Sequence, residues 1–310
     1  MNRRLVGGAL AIVLLVSGAG FLAFRGLFDR SPEVVKVQSK AEPVPVVALE
    51  KAQLEAVVVA TEGVVEKQGV SGTWKPVAVG DKLIADDQLR TDPAGRAELS
   101  VGGGSVLTVA ASTELKVREL SPALHQLQLK RGRLAAKYDA DGRRVLEIQD
   151  ENGKTVAVTR GAKFSILASG QAMAVATETG IVTLKAAGAE VEVGPGQQAH
   201  SYQGAAPSPV TPIRAEVLLK IARGKVDPSL CANVVGTVEA GAEVRLEGEL
   251  LVVDAAGGFS AKVPRVPGRN SVRLAVRDAS GRPRETVVAC LAPEADPNLK
   301  LDLRWAPDPE

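Results

Sequence analysis

The chain has 310 residues, 45% of them hydrophobic but only 3% aromatic, with 38 Lys and Arg against 36 Asp and Glu for a formal charge of +2. That length suits about two domains with appendages, and cores built on this composition must be mostly Val, Leu and Ala. The near-balance of charge, with no long Lys/Arg run, excludes a dedicated nucleic-acid binder, which concentrates basic residues on one face.

Arg3 and Arg4 precede an uncharged run from Leu5 to Phe24, closed by Arg25. At about 1.5 Å per residue such a run spans a hydrocarbon layer of about 30 Å. The two arginines at its head favour an N-in orientation, with the bulk of the chain outside the cytoplasm. Small residues at Ser17-Gly18-Ala19 leave a cleaved signal peptide as the competing reading. We assign 1–28 to a membrane anchor or signal segment, which predicts a single-pass inner-membrane protein with a periplasmic bulk. Residues 29–56, with Ser31-Pro32 and Glu42-Pro43-Val44-Pro45, read as an extended stalk.

From Gly63 to Leu99 short alternating runs are punctuated by turns: Gly69, Ser71 and Gly72, then Gly80-Asp81, Asp86-Asp87 and Asp92-Pro93-Ala94-Gly95. Alternation with period two between Gly and Asp turns is a strand signal. The residues Trp74, Pro76, Val77, Val79, Gly80, Asp81 and Leu83, followed by Leu89, Thr91, Gly95, Ala97 and Leu99, resemble the FecR domain of bacterial envelope proteins. Its pattern there is W-x-P-V-x-V-G-D-x-L and then L-x-T-x-x-x-G-x-A-x-L. The family's later G-T-x-F element reads Gly161-Ala162-Lys163-Phe164, with Ala162 in the place of Thr. The resemblance covers 57–203 and implies a β-helix-like or roll-like domain.

Strands are expected over 97–101, 105–110, 114–118, 127–130, 145–149, 155–159, 163–167, 173–177, 181–185 and 190–193, separated mostly by Gly, Asn or Asp. Gly102-Gly103-Gly104, Asp139-Ala140-Asp141-Gly142 and Asn152-Gly153 are hairpin signals. Gly194-Pro195-Gly196-Gln197-Gln198 closes the domain, and the three prolines within 204–215 mark a linker.

Over 216–305 the sequence resembles an immunoglobulin-like sandwich module of bacterial surface proteins. Ala240-Gly241-Ala242-Glu243-Val244, Val253-Asp254 with Gly258-Phe259-Ser260, and Pro267-Gly268-Arg269-Asn270 carry that likeness; 306–310 form a tail. The only cysteines, Cys231 and Cys290, fall inside this module. In an oxidising compartment they are expected to pair, although a metal site or a reactive thiol is the alternative reading of the residues. The fold expected overall is all-β, a FecR-like domain followed by a sandwich, with one transmembrane helix.

Catalytic chemistry finds little purchase. His125 and His200 are read as exposed loop residues without the positioned carboxylate a triad needs. Asp81, Asp86, Asp87 and Asp92 could be imagined as a calcium loop, but their irregular spacing suits turns better than a shell of six or more oxygens. Gly102-Gly103-Gly104-Ser105 lacks the ending of a phosphate loop. Trp74 is either a sugar-stacking platform or a side chain packed on its own sheet.

No cofactor, metal or catalytic residue is expected. The favoured reading is a non-enzymatic scaffold or adaptor that binds another envelope protein through Trp74, Asp81, Asp86, Asp87 and Arg90. A glycan-binding module for peptidoglycan or exopolysaccharide is the second reading. The third is a signal-transduction regulator like other FecR proteins, although the cytoplasmic anti-sigma segment of those regulators has no counterpart before Leu5.

Overall fold

The computed structural model describes residues 55–290 apart from 103, 140–143, 224–226 and 228. The apolar run 5–24, nearly all of the stalk, residues 140–142 of the expected hairpin turn, Trp305 and the tail therefore lie outside the described residues. Within them all regular structure is β, and no helix is long and apolar enough to cross a membrane.

The chain weaves between two facing sheets. It enters as β1 (Ala56–Glu62), crosses to β2 (Val65–Gln68) and β3 (Trp74–Pro76), returns as β4 (Lys82–Leu83), and crosses again to β5 (Gln88–Thr91). β6 (Arg96–Ser100) and β7 (Val106–Val109) extend the first sheet and β8 (Glu114–Leu120) the second. Next come β9 (Leu124–Asp139), β10 (Val145–Gln149), β11 (Thr155–Thr159), β12 (Gly161–Ala168) and β13 (Ala172–Gly180). β14 (Val182–Ala186), β15 (Ala189–Val193), β16 (Gln197–Tyr202) and β17 (Thr211–Pro212) complete the pair.

The first sheet runs β4-β1-β6-β7-β9-β12-β13-β16-β17 and the second β3-β2-β5-β8-β9-β10-β11-β14-β15. β9 belongs to both. Up to Arg131 it pairs with β8, and from Gly132 onward it pairs with β12. The change of sheet happens at Gly132, which has φ +90° and where an added Cβ would lie 2.5 Å from the Cα of Thr113. Only glycine takes that backbone conformation at so close an approach without strain. The strand expected over 127–130 is thus only part of β9, which continues through Gly132 to Asp139.

Between the sheets lies a core of in-pointing residues at period two, such as Leu115, Val117, Leu127, Leu129, Leu134 and Ile148. Phe164 and Tyr138 are its aromatic members, as the low aromatic content implied. Among the described residues every ladder is antiparallel except β9–β10. Of the two forms expected from the FecR resemblance, this pairing is that of a rolled, two-layer stack. A β-helix needs parallel coils, whereas tight turns such as Asn152-Gly153 and Ala187-Gly188 fold neighbouring strands straight back.

Beyond Pro212 two smaller sheets enclose a second core. β18 (Leu219–Arg223), β19 (Leu230–Val238) and β22 (Gly258–Pro264) form one. The other runs β21-β20-β23-β24, from β20 (Glu243–Leu246), β21 (Glu249–Leu250), β23 (Ser271–Arg277) and β24 (Pro283–Ala289). Val234, Val244, Val272, Leu274 and Phe259 fill the space between them. Cys231 and Cys290 stand in disulfide geometry, Cα atoms 4.4 Å apart, joining the start of β19 to the end of β24.

The stretch read as a linker does not run free of the first region. Thr211 and Pro212 pair with Gln198 and Gln197, and the Ser208 amide donates to the His200 carbonyl at 2.8 Å. The turn 278–281 then docks on the outer side of the first sheet. Ser165 Oγ donates to the Ala279 carbonyl at 2.5 Å, Arg133 Nη2 to the Ser280 carbonyl at 3.0 Å, and Ala279 packs with Ala174 and Ala176. Small side chains at these positions let the turn approach.

Candidate functional site

The acidic bends of 80–95 spend their carboxylates locally. Asp81 Oδ2 accepts the amide of Ala78 at 3.0 Å, Asp87 Oδ2 that of Ile84 at 3.1 Å, and Asp92 Oδ1 that of Ala94 at 3.1 Å. Asp86 takes φ +71° at the tip of its bend and pairs with Lys116 Nζ at 2.9 Å. That ammonium holds the Asp86 carboxyl below the usual carboxylate range. The four carboxylates do not converge, and among the described residues no three His, Cys, Asp or Glu side chains are placed to hold a metal. This is turn chemistry.

Of the five candidate contact residues, Trp74 and Arg90 form a direct pair. The Arg90 guanidinium lies 4.1 Å from the Trp74 ring centroid, and its Nε donates to Glu66 Oε2 at 2.7 Å. Half-buried Trp74 thus rests on its own sheet with Arg90 over it. Asp86 and Asp87 sit one bend away, where β5 meets β8. Asp81 serves a different place, since the Val58 amide donates to its carbonyl at 2.8 Å and so anchors the turn to β1. The set is therefore two neighbouring clusters and one separate turn.

Arg90 also opens onto a cleft of about 500 Å³ between the first region and β20–β21. Its charged lining is Glu66, Arg90, Asp92, Arg131, Glu243 and Arg245. Arg90 pairs with Glu66 and Arg245 with Glu243, each at 2.6 Å, while Arg131 pairs with Glu114 outside the cleft at 3.4 Å, so the wall is balanced and mostly paired. Such a cleft offers hydrogen bonds and a stacked cation; its hydroxyls are those of Thr91 and Ser112, and no histidine lines it to serve either as a base.

Thr91, a motif position with no role assigned from sequence, is a buried tie. Its hydroxyl donates to the Ala110 carbonyl at 2.6 Å and accepts the Thr113 amide at 2.9 Å, locking β5 to the turn before β8. Both histidines correct the sequence reading. His125 is on β9 and buried, its Nδ1 3.1 Å from the Tyr138 hydroxyl, and burial pushes its pKa down to about 4, with Arg144 adding to the shift. The signal was present in Leu124-His125-Gln126-Leu127-Gln128-Leu129, where His125 shares the phase of Leu127 and Leu129. His200 lies half-buried on β16, and burial lowers its pKa against the opposing pull of Glu239.

Residues 87–183 match the family model described as FecR protein. The match runs from β5 into β14 and covers the β9 crossover and the Gly161–Phe164 element, while β1–β4 and β15–β17 lie outside it. Two crystal structures of a candidate anti-sigma factor from Parabacteroides distasonis are similar to this chain at 15% and 14% identity, each with a TM-score of 0.36. Each likeness covers 40% of this chain and 59% of that one, less than two thirds of its length. No curated protein matches the chain.

Proposed function

We propose that this chain is a non-enzymatic binding protein of the bacterial envelope, whose FecR-like region presents the 74–95 surface to another envelope protein. The FecR match over 87–183 carries the reading, because that family is regulatory rather than enzymatic. The site chemistry supports it. The side chains of Asp81, Asp87 and Asp92 accept turn amides, that of Asp86 pairs with Lys116, and His125 is buried against Tyr138. In this reading residues 5–24 tether the protein to the inner membrane with its bulk in the periplasm. The Cys231–Cys290 pair is then oxidised, and the C-terminal region is an immunoglobulin-like module that holds the first one rigidly.

The test is crosslinking in native membranes with the full-length chain tagged at its C-terminus. Recovery of a defined envelope protein, reduced when Trp74 and Arg90 are both replaced by Ala, is the expected result. Recovery that ignores those changes, or a hydrolytic activity that disappears with an Asp of 81–92, overturns the proposal.

A further inference from the structure

The outer face of the second sheet carries a feature that the turns do not explain. Ladder registers place Trp74 opposite Gln68, Gln68 opposite Gln88, Gln88 opposite Lys116, Lys116 opposite Gln128 and Gln128 opposite Gln149. One straight row therefore crosses β3, β2, β5, β8, β9 and β10. All six are partly exposed and in phase with one another, while residues such as Leu89, Leu115, Leu127 and Ile148 of the opposite phase enter the core. Four primary amides aligned this way are unusual in a surface otherwise dominated by ion pairs.

At about 4.8 Å between strands, the row from Trp74 to Gln149 is about 24 Å long. Its electrostatics are neutral, because Lys116 is paired with Asp86 at 2.9 Å. Gln68 and Gln128 are steadied by hydrogen bonds from their Nε2 atoms to the carbonyls of Gly72 and Glu151. Gln88 and Gln149 form no side-chain hydrogen bond among the described residues, so both can donate and accept outward.

A ligand matching this row is long, extended, uncharged and rich in groups that both donate and accept. Sugar hydroxyls and acetamido groups do so, and a strand spacing is close to the length of one pyranose ring. A protein partner would want desolvated apolar or Arg anchors along its length, and an anionic polymer would want unpaired cations; from Gln68 to Gln149 the row has neither, and its one aromatic, Trp74, stands at the end. We infer that this face binds an extended β-1,4-linked polysaccharide chain, laid across the strands along the amide row and ending at Trp74. The site shares Trp74 and Gln88 with the 74–95 surface proposed above, but its other amides, Gln68, Gln128 and Gln149, lie outside that surface, and free hexamers test it without the protein partner.

The experiment is calorimetric titration of the full-length chain, held in a phosphocholine detergent that carries no sugar, with β-1,4-linked hexamers of glucose and of N-acetylglucosamine, and with polygalacturonate as the charged polymer. Binding of either neutral hexamer, weakened at least ten-fold in the double variant Gln88→Ala/Gln149→Ala and unchanged in Lys163→Ala on the other sheet, is expected. The preferred hexamer distinguishes a glucan from an amino-sugar chain such as the cell wall supplies. Neither amide is bonded within the protein, so the double variant should fold, which its circular dichroism checks. The inference fails if neither hexamer binds, if polygalacturonate binds more tightly than both, or if the double variant binds as the natural chain does.

Discussion

The two regions are both antiparallel β, yet they secure themselves differently. The double sheet places Leu83, Leu89, Leu99, Leu107, Leu129 and Ile148 among its many fully buried side chains, whereas in the C-terminal region Leu274 alone among the described leucines and isoleucines is as deeply buried. The C-terminal region packs mainly Val and Ala around Phe259 and adds a cysteine pair 59 residues apart in sequence. Burial of a large aliphatic side chain stabilises by about 1.5–3 kcal/mol, so many of them make a cross-link unnecessary. A region this short buries a smaller fraction of its surface and gains more from a covalent constraint on its unfolded state.

The sharpest way to break this contrast is at the point where the first region turns from one sheet to the other. Gly132→Val forces a β-branched residue into φ +90° against the backbone of Thr113, whose hydroxyl also accepts the Arg133 amide at 3.0 Å. Backbone strain and overpacking together should cost roughly 4–6 kcal/mol. Chemical denaturation and hydrogen exchange would locate the loss in β8, β9 and β12. A variant as stable as the natural chain would show that the crossover is not what joins the sheets.

The second region should respond to chemistry that leaves the first untouched. Cys290→Ser reopens a loop of 59 residues, and on the chain-entropy account this costs about 4 kcal/mol. Reductant added to the natural chain should do the same. Hydrogen exchange is expected to quicken in β19 and β24 while β9 and β12 stay protected. Equal quickening in both regions would mean that they are stabilised as one body and that the contrast is only compositional.

Acid should reverse the selectivity. His125 is held neutral in the folded state, with its pKa pushed from 6.5 to about 4 by burial. Above pH 6.5 neither state binds the proton and the residue contributes nothing to pH dependence. Between pH 6.5 and 4 the unfolded chain takes up the proton and the folded one does not, so stability falls by about 3 kcal/mol over that window. His200, depressed in the same direction, adds to the fall. His125→Gln should flatten most of the slope in denaturation midpoint against pH; an unchanged slope would place the sensitivity elsewhere.

Much of the first region could be read from the chain because its turns are written in Gly, Asp and Asn and its strands alternate. The expected 145–149 and 155–159 strands coincide with β10 and β11. What escaped was set by tertiary context. β16 begins at Gln197, inside a Gly-Pro-Gly-Gln stretch that looks like a terminator, and it pairs with β13 past the intervening β14 and β15 and with β17 inside the proline-bearing stretch. The continuation of β9 was hidden because Gly132 punctuates locally while its φ value serves a crossover. The candidate site was half legible: the Asp turns follow from residue type, whereas the stacking of Arg90 on Trp74 and the amide row depend on ladder registers that no spacing along the chain reveals.

The smallest effect tests whether the two regions act as one. Ser165, buried on the outer side of β12, donates its hydroxyl to the Ala279 carbonyl, and beside it Arg133 reaches the Ser280 carbonyl while Gly281 leaves room for the guanidinium. Ser165→Ala removes a donor without adding volume and leaves a carbonyl in a tight joint short of a partner, a loss of about 1 kcal/mol. In the natural chain this contact should couple the regions, so that unfolding of the disulfide-bearing one is felt by the other. Combined with Cys290→Ser, the substitution should therefore cost less than the sum of the single changes, because a joint already loosened by unfolding of its second half has less to lose. Strict additivity in denaturation would show instead that the turn 278–281 rests on the first sheet without transmitting stability, and the two regions would then be neighbours that fold independently.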